Sequence, residues 1–327
     1  MTGKLLILFY GLLISANNFS QAIDNGASFK MQPAERSIRF QYDNDYFSES
    51  DEYYTQGMNL EWISPSLKNN PLTRLLITQK ENSNRYGLAI EHNAYTPTSI
   101  RSNEILYGDR PFAASIILKT FGASVNSSKR YRITSSFSLG MLGPVAGAYQ
   151  IQKTIHSWLN GTDPKGWQYQ IRNDLVINYE AAVERNIFHR KHFLINGLVT
   201  ARIGTLSTKF SLGTTIMVGK LNSAISNAFL GKAPSSEKEK FTFHLYLQPI
   251  ISAIGYDGTL SGGPIFNRES PYTLGQNEIE RFTFQGNTGI VFSINSVYLE
   301  YFQSILTKEF TTGGRHNWGG LRMGYLF

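Results

Sequence analysis

Gln152 and His156 stand four residues apart in a stretch that opens on Gly140. If Ala148 to Leu159 is helical, this spacing puts both side chains on one face, one turn apart. A histidine takes up a proton near neutral pH, and a glutamine one turn away can orient a water or a substrate. Upstream, Asn44 and Asp45 carry side-chain oxygens of the kind a hard cation such as calcium prefers, and Thr55 follows a short acidic stretch. The run lacks the D-x-D-x-D-G spacing, so an EF-hand is not expected. A further polar group follows Tyr95-Thr96-Pro97 and contains Gly108-Asp109-Arg110. Each group also has a plain structural reading: a loop helix with a solvated histidine, a hydrophilic hairpin tip, and an Asp–Arg pair that braces its own loop. No Gly-x-Ser-x-Gly elbow and no His-Glu-x-x-His zinc motif occurs in the sequence.

The elements that must hold these residues start with an export signal over residues 1–22. Lys4 supplies its positive start, Leu5 to Ile14 a short apolar run, and Ser20-Gln21-Ala22 a small-x-small cleavage site. The remainder, 23–327, reads as one domain. The absence of cysteine excludes disulfides and thiolate chemistry. Aromatic residues make up 13% of the chain, glycine is abundant, and no apolar run after Ala22 is long enough to span a membrane as a helix. An exported chain of this kind has another way into a membrane. A closed β-barrel pairs every backbone group between strands and needs only alternate residues to be apolar.

That alternation is present. Leu321, Met323, Tyr325 and Phe327 share one face; Phe241, Phe243, Leu245 and Leu247 alternate with Thr242, His244, Tyr246 and Gln248. About twelve such segments are expected, near 36–45, 54–64, 84–95, 112–122, 130–141, 170–184, 191–203, 208–219, 241–255, 279–293, 296–307 and 315–327. The segments at 112–122 and 296–307 alternate poorly, and the connections at 65–83 and 220–240 are long for periplasmic turns. A soluble β-sandwich or barrel is the competing fold. With a periplasmic N-terminus, the first, third and fifth connections (46–53, 96–111 and 142–169) lie on the outer face, and the polar groups above collect there. Trp167 falls where an interfacial aromatic belt is expected.

At these residues the sequence resembles the outer-membrane lipid A 3′-O-deacylases, the LpxR-type family. Four blocks carry the resemblance: Asn44-Asp45; Tyr54-Thr55-x-Gly57; Tyr95-x-Pro97 with Gly108-Asp109-Arg110-x-Phe112; and Gly143-Pro144-x-Ala146 followed by Gln152-x-x-x-His156. The resemblance implies an antiparallel transmembrane barrel of twelve strands in the bacterial outer membrane, with a short helix in an extracellular loop. It also implies a calcium-dependent esterase whose site lies at the extracellular rim. His156 would activate water, Gln152, Asn44, Asp45 and Thr55 would be its catalytic companions, and Asn44 and Asp45 would hold Ca2+. The family's loop lysine after Tyr-x-Pro has no counterpart here; Arg101 is the nearest cation, and Arg101 and Arg110 are the candidate substrate contacts. The implied partners are lipid A or lipopolysaccharide and outer-membrane lipid, with no nucleic acid. Two other readings remain open. One is a non-enzymatic barrel, pore or structural; the other is an outer-membrane phospholipase, although no persuasive His–Ser pair is present. The net charge of +7 suits phosphorylated lipid in sign, but Lys129, Arg130, Arg190, Lys191, Lys238 and Lys240 fall in connections assigned to the periplasmic side.

Overall fold

The computed structural model describes residues 36–45, 53–158, 161–221, 241–266 and 268–327. The expected signal segment lies outside them. Twelve strands close into one antiparallel barrel, each beside its sequence neighbour, with the last paired to the first. They are β1 (Ser37–Asn44), β2 (Tyr53–Ile63), β3 (Ser83–Thr96), β4 (Ala113–Asn126), β5 (Tyr131–Leu142), β6 (Asp174–Arg190), β7 (Phe193–Gly204), β8 (Ser207–Lys220), β9 (Phe241–Asp257), β10 (Phe282–Ile294), β11 (Val297–Leu306) and β12 (His316–Leu326). One helix of three turns, α1 (Ala148–Trp158), follows β5, and a single turn, α2 (Gly258–Ser261), follows β9. No described helix is long and apolar enough to cross a membrane. Closure leaves no sheet edge, so every strand can lie in lipid without orphaned backbone groups.

The expected strands recur within a few residues. The starts of β6 and β10 shift inward for local reasons. Trp167–Tyr169 closes a 3-10 turn before β6, and Ile279 makes only an isolated bridge to Phe310 before β10.

Alternation sorts the side chains. Ile38, Phe40, Leu60, Trp62, Ile90, Leu118, Leu139 and Ile177 are exposed on the outer wall. Along β1 to β7 the lumen keeps a cavity of about 200 Å³, lined by Arg39, Asp43, Glu61, Lys119, Glu180 and Arg202 among others, and the opposite side is filled. Tyr246, Tyr298, Phe302 and Trp318 pack there with Leu194 and Met217. Beside them Glu300 receives Arg322, the Tyr298 hydroxyl and the Tyr246 hydroxyl, the last at 2.7 Å. Arg39–Glu61, Lys119–Glu91, Arg132–Glu184 and Arg202–Glu180 are further ion pairs of the interior. Aromatic residues inside the barrel explain why 296–307 alternates poorly in sequence. β11 alternates perfectly in burial, but its buried face holds Tyr298 and Phe302.

The poor pattern of β4 has another cause. Its outer face is covered at both ends. At the end where β1 starts and β12 finishes, the 65–82 connection forms two 3-10 turns, then folds back over the wall. Ile77 N–H donates to Ser135 Oγ (2.8 Å), Gln79 N–H donates to Ser124 Oγ (3.2 Å), and Tyr179 OH donates to the Leu75 carbonyl (2.9 Å). The hydroxyls of Ser124, Ser135 and Tyr179 are therefore paired with covering backbone and do not meet lipid. Leu75 and Ile77 are exposed on the cover and continue the apolar belt across it. At the opposite end the cover is the segment that carries Gln152 and His156.

Candidate active site

This second cover begins with a tight turn against the end of β4. Gly143 N–H donates to the Ala114 carbonyl (2.7 Å), and Pro144–Ala146 forms one 3-10 turn. Gly143 has φ +102°, and a Cβ there would lie 2.7 Å from the Arg172 and Asn173 backbone, so glycine is required. Ala146 and Ala148 pack on Ala94 and Ala114 of the wall, together with Phe112, Ile100 and Trp167. Alanine on both sides lets the helix approach the sheet closely. Below this cluster His92, on the outer face of β3, places Nε2 3.1 Å from the Ala146 carbonyl. A carbonyl only accepts, so Nε2 carries the proton and His92 fastens the turn.

Gln152 lies under the helix, 1% exposed. Its Oε1 accepts from the Trp167 indole N–H at 2.7 Å. Its amide nitrogen is buried and finds no partner among the described residues. An amide donor held away from water without an acceptor is costly, which marks the place where a ligand or water oxygen belongs. Trp167 is 3% exposed and stacks on Phe112 at 5.0 Å. It is therefore not part of an interfacial belt. The loop after α1 returns to the wall and turns the indole inward, where it orients Gln152.

One turn further along α1, His156 is partly exposed, and its Nδ1 lies 2.6 Å from the Thr162 carbonyl. The carbonyl again fixes the roles. Nδ1–H donates, so in the neutral ring Nε2 bears the lone pair. The backbone thus selects the tautomer in which the outer nitrogen can take a proton.

The first two strands supply the other candidates. Asn44 falls at the end of β1, in register with Gln56 and on the same outward parity as Phe40 and Tyr42. Its Nδ2 donates to Tyr42 OH at 3.3 Å, so Oδ1 is the end of the amide suited to a cation. Asp45, the next residue, is buried. In β2 a bulge falls between Tyr54 and Gln56. Tyr54 swings into the lumen and donates to Asp43 Oδ2 (3.0 Å), in the space left by Gly57, where a Cβ would lie 1.8 Å from the phenol oxygen. Thr55 instead meets Thr96 at the end of β3, Oγ1 to Oγ1, 2.7 Å.

The Tyr95–Phe112 block is a brace. Asp109 Oδ2 accepts from Thr98 N–H (2.9 Å) and Oγ1–H (2.6 Å). Tyr272 OH donates to the Asp109 carbonyl at 2.9 Å, and burial raises the phenol's pKa, so it stays protonated. Arg110 is 1% exposed, lies over the Tyr95 ring at 4.3 Å, pairs with Glu309 and donates to Thr259 Oγ1 (2.7 Å). Burial pulls its pKa down and Asp257 offsets part of that; an arginine remains charged all the same. Arg110 is enclosed by these partners, whereas Arg101 is exposed on the same loop.

No cluster of three or more His, Asp or Glu side chains occurs among the described residues. Asn44 and Asp45 fit calcium in kind, being oxygen donors, but two side chains fall short of the six to eight oxygens it takes. Sequence reasoning missed Thr96, Trp167 and the Thr162 carbonyl. Trp167 was visible as a residue but not as a partner of Gln152, and a backbone carbonyl leaves no mark in composition.

Fold and site together define a membrane β-barrel whose candidate chemistry lies on the outside of its wall, under a loop helix. The chain belongs to the LpxR family of outer membrane proteins, which matches residues 5–327. Among solved structures it is similar to LpxR from Salmonella typhimurium, with 17% identity, a TM-score of 0.70, and coverage of 89% of this chain and 100% of that one. The β domain of the Bordetella autotransporter BrkA aligns at 7% identity with a TM-score of 0.44, over 90% of this chain and 100% of that one. Comparison with curated proteins gave no match.

Proposed function

We propose that this protein is an outer-membrane esterase that removes the 3′-O-linked acyl or acyloxyacyl chain of lipid A. The observation that carries the reading is the pair on α1: His156 with Nδ1 committed to Thr162 and Gln152 with a buried amide donor left open. Their setting suits a lipid substrate. The turn before α1 presents Val145, 54% exposed, and the wall of β3 and β4 that it packs on carries the lipid-facing Ile90 and Leu118. An ester in the outer leaflet can reach such a site sideways.

His156 Nε2 takes a proton from water as the water oxygen adds to the ester carbonyl carbon. The Gln152 amide donates to an oxygen of the substrate or of the water. The tetrahedral intermediate then expels the sugar oxygen, which receives the proton from His156, leaving a free fatty acid and a sugar hydroxyl. Calcium bound at Asn44 and Asp45 would supply electrostatic stabilisation to the carbonyl oxygen as charge develops there. Thr55, fixed by Thr96, shapes the wall beside them.

The test is a mass spectrum of lipid A from cells that express the protein and cells that do not. Loss of one 3′-linked chain in the expressing cells is expected. An unchanged lipid A, with the barrel folded in the outer membrane, would sink the proposal.

A further inference from the structure

A backbone contact joins two cation-bearing loops beside this site. Lys165 N–H donates to the Ile100 carbonyl at 2.7 Å, which sets Lys165 next to Arg101. Each stands on a fixed backbone. Lys165 lies between buried Pro164 and buried Gly166, and Gly166 has φ +91°, where a Cβ would strike Phe112 at 2.6 Å. Arg101 follows Ile100, which is 3% exposed in the cluster under the helix. Both cationic side chains are exposed, and no described carboxylate pairs with either; Asp163 and Glu104, the nearest acids in sequence, make no ion pair with them. The loop that carries Lys165 also carries Thr162, whose carbonyl holds His156.

Height in the membrane narrows the ligand. Ile90 of β3 faces lipid. Thr96, six residues on, lies on the order of 15 Å above it at ~3.3 Å per residue on a strand tilted by ~40°. Ile100 packs on Ala94 and Ala114 at the end of the wall, so Arg101 and Lys165 stand near the height of Thr96, at the level of headgroups rather than of acyl chains. A guanidinium fork beside a compact ammonium suits phosphate oxygens, which accept several charge-assisted hydrogen bonds at once.

We propose that Arg101 and Lys165 form a phosphate-binding pair that holds the phosphorylated headgroup of the lipid whose ester lies at His156. The pair rests on the esterase reading of the site and adds to it a selectivity for phosphorylated glycolipid. Arg101→Gln, Lys165→Gln and the double variant separate the two ideas. Each purified barrel is reconstituted in vesicles and given lipid A with, or without, its phosphate on the acylated sugar. Wild type is expected to favour the phosphorylated lipid in kcat/KM, and each single variant is expected to narrow the ratio by about tenfold through KM, the loss of one charge-assisted contact. The double variant should treat both lipids alike. Ratios unaltered in all three variants would overturn the pair while leaving the esterase intact. Failure of wild type to cleave either lipid would overturn the esterase reading instead. Inorganic phosphate distinguishes a lipid-borne group from a free ion. Weak competition is expected; saturation at micromolar phosphate, with both lipids cleaved alike by wild type, would overturn a headgroup site.

Discussion

The outer wall of β3 to β6 carries two covers, one at each end, and they are built differently. The cover formed by residues 65–82 seats its backbone on the hydroxyls of Ser124 and Ser135, and Tyr179 closes on Leu75. The cover that carries α1 seats alanines on alanines and holds a buried glutamine and a histidine. The first pairs the Ser124 and Ser135 hydroxyls with backbone and leaves Thr120 Oγ1 unpaired among the described residues; the second leaves the Gln152 amide nitrogen without an acceptor among them. The first cover lets a strand with Gly122 and Ser124 on its outer face lie in lipid. The open amide under the second is a structural cost that a ligand or water oxygen removes. The same contrast holds for charge. Arg39, Lys119, Arg132, Arg202 and Arg322 inside the barrel are ion-paired, whereas Arg101 and Lys165 pair with no carboxylate among the described residues.

Perturbations aimed at each region sharpen that contrast. Chelation of calcium carries the largest expected effect. Ester cleavage should fall to background while the barrel stays folded, read by acyl release and by gel migration of the unboiled protein. Full activity after exhaustive chelation would refute a metal-assisted site. Next is Glu300→Leu in the lumen, which leaves Arg322 buried without its main partner. A loss of about 3–5 kcal/mol in unfolding free energy is expected, with activity per folded molecule retained. An inactive but equally stable variant would contradict the division between lumen and rim. Gln152→Leu removes the open amide and the acceptor for Trp167. A drop in kcat/KM of about ten- to hundredfold is expected from a lost polar contact to the reacting groups and a misdirected indole, with little change in melting. The smallest effect belongs to Gly57→Ala. Its Cβ displaces the Tyr54 phenol, which should cost about 1–3 kcal/mol through the buried hydrogen bond to Asp43 and reduce activity only through the Thr55 bulge.

Much of this architecture was legible before the structure. Period-two alternation in Phe241–Gln248 and Leu321–Phe327 reports which residues meet lipid, because one physical constraint acts at every second position. Gln152 and His156 were legible as a pair because helical spacing is local. The covers were not. Whether a loop rises into solvent or folds back on the wall depends on contacts between residues far apart in sequence, such as Trp167 with Gln152 and Ile77 with Ser135. The bulge at Thr55 was hidden for a related reason. Tyr54 and Gly57 make sense together only once the phenol is seen to occupy the glycine's empty side. The irregular pattern of 112–122 did carry information. Polar residues on a lipid-facing parity meant that something other than lipid covers them.

The central claim is that His156, with Nδ1 held by Thr162, acts as the base through Nε2. Its most direct test is the purified His156→Asn barrel, reconstituted with lipopolysaccharide and calcium and followed by mass spectrometry of lipid A. Asparagine keeps a hydrogen-bond donor near the Thr162 carbonyl but cannot take up a proton. The account predicts a folded barrel whose release of the 3′-linked chain falls by about a hundred- to ten-thousandfold. Release within a few-fold of wild type would contradict it.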